Sequence, residues 1–122
     1  MNGLWMTAMP QEWFMSTPGV SETGPFNPHF VIDIGLVNLV SGGLVLTGSL
    51  RKNGSFIVIG SIWPLLHALF HVLHWSVEGL PSGVALALET IFVVMPAFVG
   101  ILCGFVISRK MSDAVPSSQV WP

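Results

Sequence analysis

Three stretches of this chain, 29–50, 55–77 and 83–108, are long, apolar and almost free of charge. Asp33 is the only charged residue in the first, the second has none, and Glu89 is the only one in the third. Each stretch exceeds the roughly 20 apolar residues that carry a helix across a bilayer. Lipid offers backbone N–H and C=O groups no partner, so such stretches must be helical. The composition agrees, with 8% of the 122 residues charged against about 25% in a soluble domain. The fold expected is an all-α polytopic transmembrane bundle, too short for a second domain.

The connections fit this division. Arg51-Lys52-Asn53-Gly54 makes a tight polar turn after the first span, and Glu78-Gly79-Leu80-Pro81-Ser82 separates the second from the third. Short loops make sequential helices antiparallel neighbours. Arg51, Lys52, Arg109 and Lys110 are the four cations of the chain. With three spans they all fall on one side, which the positive-inside rule assigns to the cytoplasm. The N-terminus is then expected outside, and residues 111–122 form a cytoplasmic tail.

Residues 1–28 are broken by Pro10, Pro18, Pro25 and Pro28 and carry Glu12 and Glu22. Trp5, Trp13, Phe14 and Phe26 give them the aromatic character of a headgroup-level segment, and Trp75 is expected at the same outer level. The alternative for 3–9 is the stub of a helix. No cation precedes the first span, so there is no signal-peptide n-region. Gly100 and Gly104, near Ala97 and Ser108, have the small-residue spacing that allows close helix approach. Packing inside the bundle is the first expectation for that stripe, and a homo-oligomer contact the second.

Net charge is −2 and there is no basic run, which excludes nucleic acid as a partner. The one cysteine, Cys103, cannot form an intrachain disulfide and reads as a small apolar residue. No nucleophile elbow or phosphate loop is present.

What stands out against this apolar background is a set of ionisable groups within the spans: His29 and Asp33 in the first, His67, His71 and His74 in the second, Glu89 in the third. Such residues are costly in lipid, and by default they mark function. His67, His71 and His74 follow i, i+4, i+7 spacing and share one helix face. Counting about 1.5 Å per residue, Asp33, His71, His74 and Glu89 reach a common level in the outer third of the membrane. His67 is a turn deeper and His29 a turn shallower. The expectation is one shared pocket. Imidazole and carboxylate are ligands for zinc, iron or copper. In the metal reading His67, His71 and Asp33 bind the ion, His74 and Glu89 complete or orient the set, and His29 gates it. A metal-free hydrogen-bond or proton-relay network is the alternative, since chains of Asp, Glu and His also carry protons. A haem or chlorin held by one histidine ranks lower. The His67–His71 pair is not a metalloprotease motif, because Ala68 stands where the general base would be.

The run Pro18-Gly19-Val20, then Thr23-Gly24-Pro25-Phe26-Asn27-Pro28-His29-Phe30 and Asp33-Ile34-Gly35, then His67-Ala68-Leu69-Phe70-His71, resembles a group of small uncharacterised bacterial integral membrane proteins. Their pattern is PGV, a GP-N-x-HF-x-x-D-x-G run, and a membrane HxxxH; the likeness covers roughly residues 13–105. It implies an all-helical fold with four spans in a bacterial inner membrane and no known activity. It carries over Asn27, His29, Asp33, His67 and His71. This chain departs from the pattern in two places. The first helix is missing or reduced to the stub at 3–9, which would leave one wall of the bundle open to a second copy or a partner subunit. Ile32 stands where the group often has Arg, which leaves a metal or a histidine as the expected partner of Asp33.

Overall fold

The computed structural model of the chain describes residues 2–81 and 83–113. In chain order its elements are α1 (Asn2–Ala8), α2 (Pro10–Ser16), a 3-10 turn (Val20–Glu22), α3 (Pro28–Leu50), α4 (Gly54–Glu78), α5 (Val84–Glu89), a π-helical turn (Thr90–Val94) and α6 (Met95–Asp113). α5, the π turn and α6 form one continuous 30-residue helix. That helix, α3 and α4 are the three expected spans. The third runs past its expected end at 108, through Arg109 and Lys110 to Asp113. Basic residues in a last turn interact favourably with the helix dipole, so leaving the apolar stretch does not end the helix. Of the expected tail, 114–122 lie outside the described residues.

The ends of the spans are written locally. Asn27 caps α3, its side-chain oxygen accepting the Phe30 N–H at 3.2 Å, and Pro28 occupies the first helical position. There its missing N–H costs nothing. Asn53 caps α4 in the same way, accepting from the N–H groups of Ser55 and Phe56 at 3.0 and 3.4 Å. Gly79 ends α4 at φ +95°, a conformation suited to glycine. Asn27→Ala should therefore cost about 1 kcal/mol at the start of α3. Amide hydrogen exchange at Phe30 would read this as roughly fivefold faster opening.

Burial is sparse in the spans. Only 22% of the apolar window of α4 is buried, with less in α3 and in the third span. Leu46, Leu66, Phe92 and Leu102 turn outward instead. Lipid tails are as apolar as leucine, so helices associate through close packing rather than through hiding apolar surface. The contacts are accordingly made by small residues. α4 lies between α3 and α6. Gly60 abuts the backbone of Ser41 and Val45 on α3, and Gly48 abuts Ile57. On the other side Gly54 packs against the Gly104 carbonyl, Gly104 against Val58, and Gly100 against Ser61. The Gly100–Gly104 stripe is thus used within the chain.

The N-terminal segment forms two short helices, α1 and α2. α1 packs on α3, with Gly3 against the Gly35 carbonyl, Asn38 and Leu39, and Gly35 against Met6 and Thr7. Leu39 is eleven residues into α3 from Pro28, so α1 reaches about 16 Å along that span. Trp13 Nε1 donates to Asn2 Oδ1 at 2.8 Å and ties α2 back to the start of α1. Met6, Phe14 and Val31 form the small core beneath them, with Trp13, Val20, Phe26 and Ile34 around it.

Candidate functional site: a histidine–carboxylate pair joining two spans

Glu89 ends α5, and the turn after it is not α-helical. The Met95 N–H reaches back five residues to the Thr90 carbonyl. Pro96 follows at once, and in a regular α turn its ring would press on the Phe92 carbonyl. Widening the turn just before the proline relieves that clash. It also inserts one extra residue into the helix, which turns everything before it by about 100° relative to α6. The direction of Glu89 is set here.

Glu89 meets two residues of α4. Its Oε2 accepts the Trp75 indole N–H at 3.0 Å and lies 2.8 Å from His71 Nδ1. The His71 and Glu89 side chains are 23% and 30% exposed, so the pair sits at the edge of the helix packing rather than in its middle. Oε1 has no hydrogen-bond partner among the described residues. His67 adds a ring contact: its imidazole meets that of His71 edge to face at 4.7 Å and lies parallel to Trp63 at 5.9 Å. Phe70 lies between His71 and His74, with ring centroids 5.9 and 6.0 Å away. A ladder of rings therefore climbs α4 from Trp63 to His74.

The six expected site residues separate into three groups. His71 and Glu89 meet between α4 and α5, with His67 beside them. His29 and Asp33 pair with each other at 2.9 Å on α3, with 85% and 57% of their side chains exposed. Asp33 has found a histidine partner, as expected in the absence of a neighbouring Arg, but on its own helix. His74 pairs with Glu78 at 3.4 Å and is also exposed. The expectation of one shared pocket is corrected accordingly. Equal depth along three helices does not fix direction around them, and an i, i+4 partner on the same helix satisfies a side chain before a distant one can. Among the described residues no three His, Cys, Asp or Glu side chains gather closely enough to hold a metal ion.

Two contributors escaped the sequence reading. Trp75 was expected only as a headgroup-level aromatic, and Glu78 only as a loop residue. Their signals were the i+4 positions after His71 and His74 respectively. The π turn was missed as well. Its clue is Pro96 directly after the Thr90–Val94 run.

Fold and site together define a membrane-embedded helical protein in which a histidine–carboxylate pair bridges two spans. No protein family, curated protein or solved structure matches the chain.

Proposed function

We propose that this small integral membrane protein carries a proton relay on α4, with His71 and Glu89 sharing the exchangeable proton. The observation that supports it most is the bridging of Glu89 Oε2 by Trp75 Nε1 and His71 Nδ1. A proton between Nδ1 and Oε2 can sit on either atom while the hydrogen bond is kept. The Trp75 N–H holds the oxygen in place in both states. The open Oε1 offers an entry for water. His74 and Glu78, exposed at the end of α4, connect the pair to the aqueous phase, and His67 forms the inner end.

The positive-inside rule places Arg51, Lys52, Arg109 and Lys110 in the cytoplasm, so the relay opens outward. A bacterial inner membrane follows from the resemblance in the Asn27–Gly35 and His67–His71 runs. A relay whose inner end, His67, lies in the middle of α4 suits an accessory subunit of a larger membrane complex.

The test is proton NMR of the full chain in lipid nanodiscs. The shared proton should give a strongly downfield signal that is lost in both His71→Ala and Glu89→Gln. It should exchange with deuterium from bulk water, at least about tenfold more slowly in His74→Phe, since exchange rates follow access to the open form. A signal that survives His71→Ala, or one that never exchanges, would reduce the pair to a structural bond.

A transition-metal reading has one observation in its favour. A carboxylate bonded to Nδ1 of a histidine commonly orients Nε2 toward a metal, and His71 and Glu89 have that arrangement with His67 alongside. His67 and His71 would then hold zinc, iron or copper, while His29, Asp33 and His74 remain in their separate pairs. Near-stoichiometric metal in the purified protein, lost in His71→Ala, would replace the relay with this reading.

A further inference from the structure

The four cations of the chain gather at one end of the bundle, about 25 Å along α4 from His71. Arg51 and Lys52 sit on the turn between α3 and α4, and Arg109 and Lys110 in the last two turns of α6. The contact of Gly54 with Ser108 brings the two pairs together. Lys52 is two residues before Gly54 and Arg109 one after Ser108, which keeps their Cα atoms within about 17 Å of each other. All four side chains are exposed, and no Asp or Glu among the described residues lies within ion-pair distance of any of them.

The turn holds its pair in place. Arg51, Lys52 and Asn53 donate their N–H groups to the Thr47, Ser49 and Gly48 carbonyls at 3.0, 3.3 and 2.8 Å. Lys52 stands there at φ +52°, a left-handed position that glycine usually fills at a helix end. The backbone alone therefore does not account for a lysine. Beneath the charges lies apolar surface. Phe105 and Val106 stand four residues before Arg109 and Lys110, on the same faces of α6, and Leu46 and Leu50 precede Arg51 on α3; all four are exposed.

We propose that this end of the bundle binds a phospholipid with two phosphates, one on each basic pair, its acyl chains lying on Leu46, Leu50, Phe105 and Val106. Basic clusters beside a bilayer attract anionic headgroups. A single phosphate meets one pair and leaves the other uncompensated. Two phosphates on one short linker meet both, and the second binds as an intramolecular event. Soluble phosphates carry the same charge but no chains for the apolar strips. The site lies at the opposite end from the relay and is independent of it.

The full chain, in a neutral detergent, is titrated with cardiolipin, which has two phosphates, and with phosphatidylglycerol, phosphatidylcholine and soluble pyrophosphate. Native mass spectrometry counts the molecules bound. One cardiolipin should bind per chain, at least about tenfold more tightly than phosphatidylglycerol, with phosphatidylcholine and pyrophosphate weaker still. Arg51→Gln with Lys52→Gly, and separately Arg109→Gln with Lys110→Gln, should each reduce cardiolipin to the affinity of phosphatidylglycerol, a loss of about tenfold or more. Arg51→Lys and Arg109→Lys keep the charges and should lose little. Thermal unfolding without lipid separates binding from folding: Lys52→Gly alone relieves the left-handed position, so it should unfold no earlier than the parent chain while binding cardiolipin more weakly. Cardiolipin that binds no better than phosphatidylglycerol, or that binds undiminished when both pairs are replaced, would overturn the proposal. Pyrophosphate binding as tightly as cardiolipin would do the same, by making the ligand a free phosphate. So would anionic lipids binding no better than phosphatidylcholine, which would leave the patch to an acidic protein segment.

Discussion

Gly54→Leu should abolish the packing of α4 on α6. A side chain at Gly54 would run into the Gly104 carbonyl and into the Ser108 N–H, 2.6 Å from the position of a Cβ. These are backbone atoms and cannot rotate away, so relief requires the helices to separate. Separation would also loosen Gly104 from Val58 and Gly100 from Ser61. Overpacking of a tight interior typically costs about 1–3 kcal/mol, and with backbone on both sides the expected loss lies at or above the top of that range. Thermal unfolding in nanodiscs should show it. Gly42→Ala supplies the control, because a Cβ there meets nothing within 4 Å and its effect should stay within about 0.5 kcal/mol. His71 and Glu89 lie on the same helix pair. Gly54→Leu should therefore also weaken their shared-proton signal, whereas Gly42→Ala leaves it intact.

The fold was legible because membrane physics leaves few choices. Apolar length selected the three helices, and Asn27-Pro28 and Asn53-Gly54 marked where two of them start. The site was only half legible, for a geometric reason. Rise along a helix accumulates in equal steps, so counting residues placed Asp33, His71 and Glu89 at one level. Rotation around a helix is reset by any irregular turn, and the Thr90–Val94 turn resets it just after Glu89. Local partners were also undercounted. Pairing at i+4 takes His29 to Asp33 and His74 to Glu78, which removes three of the six expected groups from the common pocket. The inter-helix partner that remains, Glu89, meets His71, the one histidine on α4 whose side chain is mostly covered and whose i+4 neighbour is a tryptophan with an N–H to donate.

Glu89→Leu and Glu89→Gln should part company in stability while agreeing in function. Leucine removes the acceptor and strands two donors, Trp75 Nε1 and His71 Nδ1, at a half-buried level. Each stranded group costs about 1–3 kcal/mol. Losing the desolvated carboxylate offsets part of that, since burying a charge is itself unfavourable. The net expectation is a loss of about 2 kcal/mol in thermal unfolding, within the range of orphaned polar groups. Glutamine keeps an oxygen where Oε2 stands and can still accept from Trp75, so its cost should fall below about 1 kcal/mol. Neither variant can share a proton with His71, and the downfield signal should vanish in both. Trp75→Phe added to Glu89→Leu completes the comparison. Removing the donor along with its acceptor should return about 1 kcal/mol, the mark of a coupled pair in a double-mutant cycle. If Glu89→Leu is as stable as Glu89→Gln, Oε2 does not hold α5 to α4, and the packing of Gly54, Gly100 and Gly104 must position Glu89 unaided.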